Sequence, residues 1–311
     1  QIRYRIPEEV GAYWSSQPRG GSAGHFVADY AKVLRLGFDG IGREIAARRA
    51  SAGTNAFYEA AEIACRAAGR FGLRYARLAE DLAAQEPEAS RQRELRRIAA
   101  ICRKVPAQPA ETFAEALQSF WFTHVLLHIN SPEWSISPGR FDQYLWPYYS
   151  RDLELNRLTR ERAAELLACL WIKFNEVRIN SVDFINYQNL MIGGTDADGN
   201  DVSNDLSYLC LEVTRQIPFA QPSLSLRWHP GTPQKLLDQA SKLILAGTGR
   251  PALFNDQVIV AAFQEAGVPL KEARGYAMAG CEEPSLPGTM FGVVRGLQVN
   301  QADCVVKALK A

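Results

Sequence analysis

No apolar run in this chain approaches the roughly 20 residues that a membrane-crossing helix needs, although 47% of its 311 residues are hydrophobic. Charge of one sign is also missing: 35 Lys and Arg stand against 34 Asp and Glu, leaving +1. The basic residues are dispersed among acids, as in Arg91-Gln-Arg-Glu-Leu-Arg-Arg97, which is the pattern of a solvated helix face and not of a nucleic-acid stripe. There is no CxxC pair. The six cysteines, at 65, 102, 169, 210, 281 and 304, are widely spaced, so neither a zinc knuckle nor an iron–sulfur cluster is encoded in these residues. This is reduced-thiol usage, and the expected compartment is the cytoplasm. The first residues, Gln1-Ile-Arg-Tyr-Arg5, lack an initiator methionine and the charged-then-apolar pattern of a signal peptide. No internal repeat, low-complexity segment or linker stands out, so the length suits one large domain or two small ones.

Several familiar site patterns fail on inspection. His124 and His128 are four apart on one helix face, a spacing that metals use, but no carboxylate lies between them and their neighbours are Phe, Val and Leu. Histidines satisfied in the core are the better reading. Residues 196–201 superficially suggest a calcium loop, yet Gly199 is at the fourth place instead of the sixth, and Ser207 stands where a bidentate Glu belongs. They read as a turn. Gly193-Gly194 and Gly247-Thr-Gly249 are too short for a phosphate-binding fingerprint, and no nucleophile elbow supports Ser-His-Asp catalysis.

What is present is helical first and alternating later. Residues 1–24 are broken by Pro7, Pro18 and Gly20-Gly21. Asp29 can cap a helix in which Tyr30, Val33, Leu34, Gly37, Phe38 and Ile41 recur at helical spacing. A second helix is predicted over 55–84, with Phe57, Ala61, Ala64, Cys65 and Ala68 on one side. A third opens after Pro87, and Pro106 and Pro109 form a stiff connector. The next, from about Thr112, is apolar over 116–129 and should be central and buried. Helices over 140–149 and 159–178 follow. Then come a strand over 223–228, a helix, a strand over 251–254, a helix over 257–266 and a strand over 276–279. A helix-rich first half and βα alternation in the second predict an α/β fold with parallel strands.

The stretch Gly275-Tyr-Ala-Met-Ala-Gly-Cys-Glu-Glu-Pro-Ser285 gathers reactive groups at a strand end. Gly280 permits a sharp backbone change after the apolar run. Pro284 biases Glu283 towards extended backbone, and in extended chain residues two apart point the same way. Cys281 and Glu283 are therefore expected on one face, a sulfur and a proton-accepting carboxylate lining one cavity. Taken alone, a cysteine after an apolar strand is more often a small buried hydrophobe than a catalyst.

Gly280-Cys-x-Glu-Pro284 resembles the thiyl-cysteine loop of the glycyl radical enzymes, the superfamily of pyruvate formate-lyase. Ser135-Ile-Ser-Pro-Gly-Arg-Phe-Asp-Gln-Tyr144, Trp228-His-Pro-Gly-Thr232 and Gly247-Thr-Gly-Arg-Pro-Ala-Leu-Phe-Asn-Asp256 resemble further segments of that family, in its order. The likeness runs from about Gly24 onward, so residues 1–311 read as a pyruvate formate-lyase-like domain. It implies a ten-stranded α/β barrel with the cysteine on a loop entering its centre. It also implies candidate substrate contacts at Trp134, Ser135, Tyr187 and His25. Many members carry His where this chain has Trp134. The change removes an acid/base group and adds a flat apolar wall with one N–H donor.

The resemblance implies a mechanism. Cys281, as a thiyl radical, abstracts a substrate hydrogen atom, and Glu283 takes a proton from the adjacent hydroxyl, so that a neighbouring leaving group departs in a 1,2-elimination. Dehydratases and C–N or C–S lyases share the Cys-x-Glu arrangement, and so do arylacetate decarboxylases, which Trp134 keeps open. The family stores its radical on a glycine in an Arg-Val-x-Gly-Tyr type loop, installed by a radical-SAM [4Fe–4S] activating enzyme. No such loop occurs in residues 1–311, so no cofactor is expected on this chain, and the chain alone is expected to be inactive. It reads as a piece of a longer polypeptide, a subunit completed by another chain, or an inert fragment. The expected partners are a small-molecule substrate, the activating enzyme and a second copy in a homodimer, with no nucleic acid and no membrane.

Overall fold

Asp29 starts the first helix as its position suggests, its carboxylate accepting the Lys32 N–H at 2.9 Å and so satisfying one of the open donors of the first turn. The computed structural model describes residues 24–53, 55–130, 135–177 and 187–290, together with 306 and 309. Helix α1 (Tyr30–Ala52) bends at Gly37, whose φ of +62° breaks the helical run. A Cβ there would lie 2.2 Å from the carbonyl oxygen of Ala107, so only glycine lets the connector at 106–110 approach. Phe38 and Asp39 donate their N–H groups to the carbonyls of Pro106 and Ala107.

Helices α2 (Ala56–Gln85), α3 (Ala89–Lys104) and α4 (Phe113–Asn130) complete the helical first half. Asn55 caps α2 through its side chain. The buried stripe of α2 runs through Cys65, Ala68, Ala76, Ala79 and Ala83, whereas Phe57 is 74% exposed and lies outside it. The stripe begins later than the sequence pattern suggests, because the first two turns pack against little. Glu88, not Pro87, caps α3. As expected, α4 is central, with Phe113, Ala116 and Phe120 fully buried.

Helices α5 (Phe141–Glu154) and α6 (Arg160–Phe174) follow, the latter capped by Thr159 and ending short of the expected residue 178. Downstream are α7 (Asp205–Gln216), α8 (Gln234–Leu243), α9 (Asp256–Glu265) and the short α10 (Leu270–Ala273). Between them β3 (Gly139–Arg140), β4 (Asn189–Gly193), β5 (Ser223–Trp228) and β6 (Ala252–Asn255) form one parallel sheet in that order. A parallel pair, β1 (Phe26–Val27) with β2 (Ile136–Ser137), lies apart from it. The strands of the four-stranded sheet are parallel as βα alternation predicts; β7 (Ala277–Ala279) and β8 (Glu283–Ser285), the latter a strand that the sequence pattern does not foresee, are antiparallel. A three-residue tip is too short for a crossover and allows only a hairpin. The four-stranded parallel sheet is compatible with the barrel that the resemblance implies, with β6 at one edge and Leu253 54% exposed there.

The sheet separates two environments. Leu190 and Ile192 of β4, with Leu224 and Leu226 of β5, join Phe141, Leu145, Trp171 and Phe174 in the main core. Each such side chain contributes roughly 1.5–3 kcal/mol on burial, so packing on this face, more than helix propensity, holds α5 to α8 in place. Met191 points the other way, into a smaller cluster with Val27, Tyr276 and residues 277–279. Polar Asn189, Ser225 and Arg227 share that second face by the period-2 rule, and all are buried.

Candidate active site

The β7–β8 hairpin stands against this polar face. Its first strand is built of Ala277, Met278 and Ala279, all buried, and small residues let it approach the neighbouring strands closely. Ala279 pairs with Glu283, so Gly280, Cys281 and Glu282 form the tip. Gly280 has φ +57°, and a Cβ on it would lie 2.6 Å from both Glu283 Oε2 and His25 Nδ1. Glycine is therefore required twice, for conformation and for space. The alternation expected between Cys281 and Glu283 does not describe this loop: Cys281 and Glu282 are turn residues, and extended backbone resumes at Glu283.

Hydrogen bonds from two strands hold the tip. Ser137 Oγ accepts the Gly280 N–H at 2.9 Å and the Asn189 N–H at 3.1 Å. Asn189 Nδ2 faces the Cys281 carbonyl oxygen at 3.5 Å, and Asn189 Oδ1 accepts from Ser225 Oγ at 2.6 Å. His25 Nδ1 lies 2.7 Å from Glu283 Oε1, the side chains being 13% and 38% exposed. Cys281 itself is exposed. Burial of its sulfur pushes the thiol above its ordinary range, and the carboxylates of Glu283 and then Glu282 push it further the same way. A thiol placed so is protonated at neutral pH and is not a thiolate nucleophile of the usual kind.

Of the residues singled out from the sequence, Cys281, Glu283 and His25 come together. Ser135 is buried at the start of the β2 segment with φ +72°, and His25 has φ +53°. Two non-glycine residues in the left-handed region beside one site mark backbone held there by its surroundings, at a cost of order 1–3 kcal/mol each. Tyr187 is 42% exposed just before β4 and, among the described residues, makes no hydrogen bond to the hairpin. Trp134 lies outside the described residues. His124 is a core residue: its Nε2 donates to Gln188 Oε1 and its Nδ1 accepts from Tyr30 Oη, both at 2.7 Å. His128 Nδ1 donates to the His124 carbonyl at 2.8 Å. Among the described residues no three His, Cys, Asp or Glu side chains group as metal ligands, and no helix is long and apolar enough to cross a membrane.

Sequence reasoning passes over the support beneath the hairpin. Fully buried Arg227 donates Nε and Nη2 to Asp256 at 2.8 and 2.7 Å, and Nη1 to the carbonyls of Arg274 and Tyr276 at 2.8 and 3.1 Å. Its guanidinium sits 4.1 Å from the Tyr276 ring centre, and Tyr276 Oη donates to Asp256 Oδ1 at 2.7 Å. The signal was an arginine inside a strand of buried type, since a buried charge must find a partner. Asn189-Leu-Met-Ile-Gly193 likewise carries the apolar-run-then-glycine pattern seen at 276–280.

Comparison with known proteins gives this geometry a context. Residues 9–311 match the family described as pyruvate formate lyase-like. The chain is 36% identical over 296 residues to isethionate sulfite-lyase of Nitratidesulfovibrio vulgaris, covering 89% of this chain and 36% of the relative. It is 38% identical over 248 residues to trans-4-hydroxy-L-proline dehydratase of Clostridioides difficile, covering 76% and 31%. The glycerol-bound B12-independent glycerol dehydratase of Clostridium butyricum superposes with a TM-score of 0.81 at 39% identity, covering 86% of this chain and 36% of that one. The chain thus spans about a third of the length of such relatives.

Proposed function

Because the chain belongs to the pyruvate formate lyase-like family, we propose that it carries the thiol and the base of a glycyl radical lyase acting on a small hydroxylated substrate. The observation that carries this reading is the contact between His25 and Glu283, made directly beside the loop that presents Cys281. A glycyl radical on a segment outside residues 1–311, installed by a radical-SAM [4Fe–4S] activating enzyme, would supply the unpaired electron. An exposed thiol at a hairpin tip is placed for such a segment to reach it.

Once Cys281 has given up its hydrogen atom to that outside radical, the remaining steps balance on this chain's residues. The Cys281 thiyl takes a hydrogen atom from a C–H bond, forming S–H and leaving a carbon radical. Glu283 accepts the proton of the hydroxyl on that carbon. The electron-rich radical then expels the leaving group on the neighbouring carbon, and that group departs with its bonding pair. The product radical takes the hydrogen atom back from Cys281. His25 orients the Glu283 carboxylate and shares its proton load, in the manner of a base with an orienting partner. A thiol kept protonated suits this chemistry, because the cycle returns an S–H bond. Elimination is preferred to decarboxylation because the sulfite-lyase and dehydratase relatives, at 36% and 38% identity, stand above the indoleacetate decarboxylase of Tractidigestivibacter scatoligenes at 31%.

The test is anaerobic activation of the polypeptide that carries this sequence, followed by assay on isethionate, trans-4-hydroxy-L-proline and glycerol. Cys281→Ala and Glu283→Gln should each lose turnover with the glycyl radical signal retained. Undiminished turnover in either variant would remove the proposed roles.

A further inference from the structure

Ser137 has no part in the chemistry just described, yet it is bonded to the residue before the thiol and to the strand beneath it. Its side chain is fully buried, and its Oγ accepts two backbone N–H groups, those of Gly280 and Asn189. Both donors are buried, and a buried N–H without an acceptor costs about 1–3 kcal/mol. In the parallel pair β1–β2, Ser137 is in register with Val27 and Ile136 with Phe26. The strand that carries the hydroxyl is therefore the strand against which the residue after His25 is fixed.

Gly280 is confined from two sides. Ser137 holds its amide, and the space where a Cβ would stand is occupied by His25 Nδ1 and Glu283 Oε2, each 2.6 Å away. A shift of this residue carries Cys281 with it while His25 and Glu283 stay behind. Misplacement by about 1 Å is enough to cost a positioned reaction a factor on the order of a hundred. The Asn189 side chain adds a second, longer contact at 3.5 Å to the Cys281 carbonyl, and is itself aimed by Ser225.

We propose that Ser137 is a positioning residue for the Cys281 loop: its hydroxyl oxygen, acting as a double acceptor, sets the thiol's place relative to the His25–Glu283 pair. The proposal rests on Cys281 being the reacting thiol. The competing view is that Ser137 merely satisfies two buried amides, in which case its loss weakens the fold and leaves the thiol where it was.

Alkylation by iodoacetamide as a function of pH, read peptide by peptide by mass spectrometry, separates the two. Exposed Cys169 serves as the internal reference. In Ser137→Ala the loop loses the acceptor that fixes the Gly280 amide, and the Cys281 sulfur leaves its place beside the Glu283 carboxylate. Cys281 labelling at roughly pH 8 should then rise about threefold as its thiolate fraction grows, with Cys169 unaffected. If that variant loses its fold, seen as labelling of buried Cys102 and Cys210, then Ser137→Cys decides instead. It keeps the shape but offers a weak acceptor, and the same rise is expected. A folded variant whose Cys281 profile overlays the wild type overturns the proposal. No turnover enters this readout, so a catalytic reading lost through Cys281→Ala would leave the result standing, and the reverse also holds.

Discussion

His25 Nδ1 and Glu283 Oε1 lie 2.7 Å apart although 258 positions separate them in the chain. The pair is more than a surface salt bridge, because the imidazole is largely covered and Gly280 leaves no room between the partners. Its consequence is kinetic. His25→Ala and Glu283→Gln should each lower kcat by about 10²–10⁴, the range of a positioned acid–base group. The double variant should fall no further than the worse single one. A multiplicative loss in steady-state assays of the activated enzyme would show two independent roles.

Gly280→Ala forces a side chain into left-handed backbone and against two polar atoms. Denaturant titration should show destabilisation of at least about 1–2 kcal/mol, the cost of that conformation alone. A change smaller than this would mean that the tip relaxes freely, contrary to the clamp described above.

Arg227 and Asp256 form a bidentate pair that is almost wholly buried. Asp256→Asn or Arg227→Met leaves one charge without its partner, and thermal unfolding should register a loss of about 3–5 kcal/mol for either. Replacing both by apolar residues of similar volume should cost less than the sum of the singles. Additivity would indicate that the two side chains act separately.

Histidine burial predicts an acid sensitivity. Burial holds His124 well below its ordinary 6.5, with His128 adding to the effect, and burial also lowers His128. Below pH 6.5 the unfolded chain takes up protons that the folded chain refuses, so stability is present above that value and is lost as pH falls. Each histidine contributes a slope of up to about 1.4 kcal/mol per pH unit. His124→Gln should flatten the pH dependence of unfolding free energy between roughly pH 6.5 and 5. An unchanged slope would place the acid response elsewhere.

The helices are legible in the sequence because their signals are local. Asp29, Asn55 and Thr159 accept the N–H groups that open their helices, and apolar spacing does the rest. Cys281 and Glu283 are legible through the motif that joins them. The hairpin is not, because extended and turned backbone at 281–282 differ only in what packs around them. Strands β1 and β2 have two residues each, too few for a period-2 pattern. The partners of Ser137 and Arg227 escape for another reason: Gly280 and Asp256 lie 143 and 29 positions away, so that even an arginine in a buried strand says that it has a partner but not which one.

The same separation has a meaning during synthesis. His25 leaves the ribosome 258 residues before Glu283, which at roughly 5–20 residues per second is an interval of about 13–50 s. Throughout that time the imidazole, and the Ser137 hydroxyl that follows it, have helical neighbours to pack with but no hairpin to hold. Helices α2 and α3 pack on each other across a short turn and can form as they emerge, whereas the thiol loop closes a loop of more than two hundred residues. The site proposed for the chemistry is thus assembled only after these helices, onto a scaffold already in place.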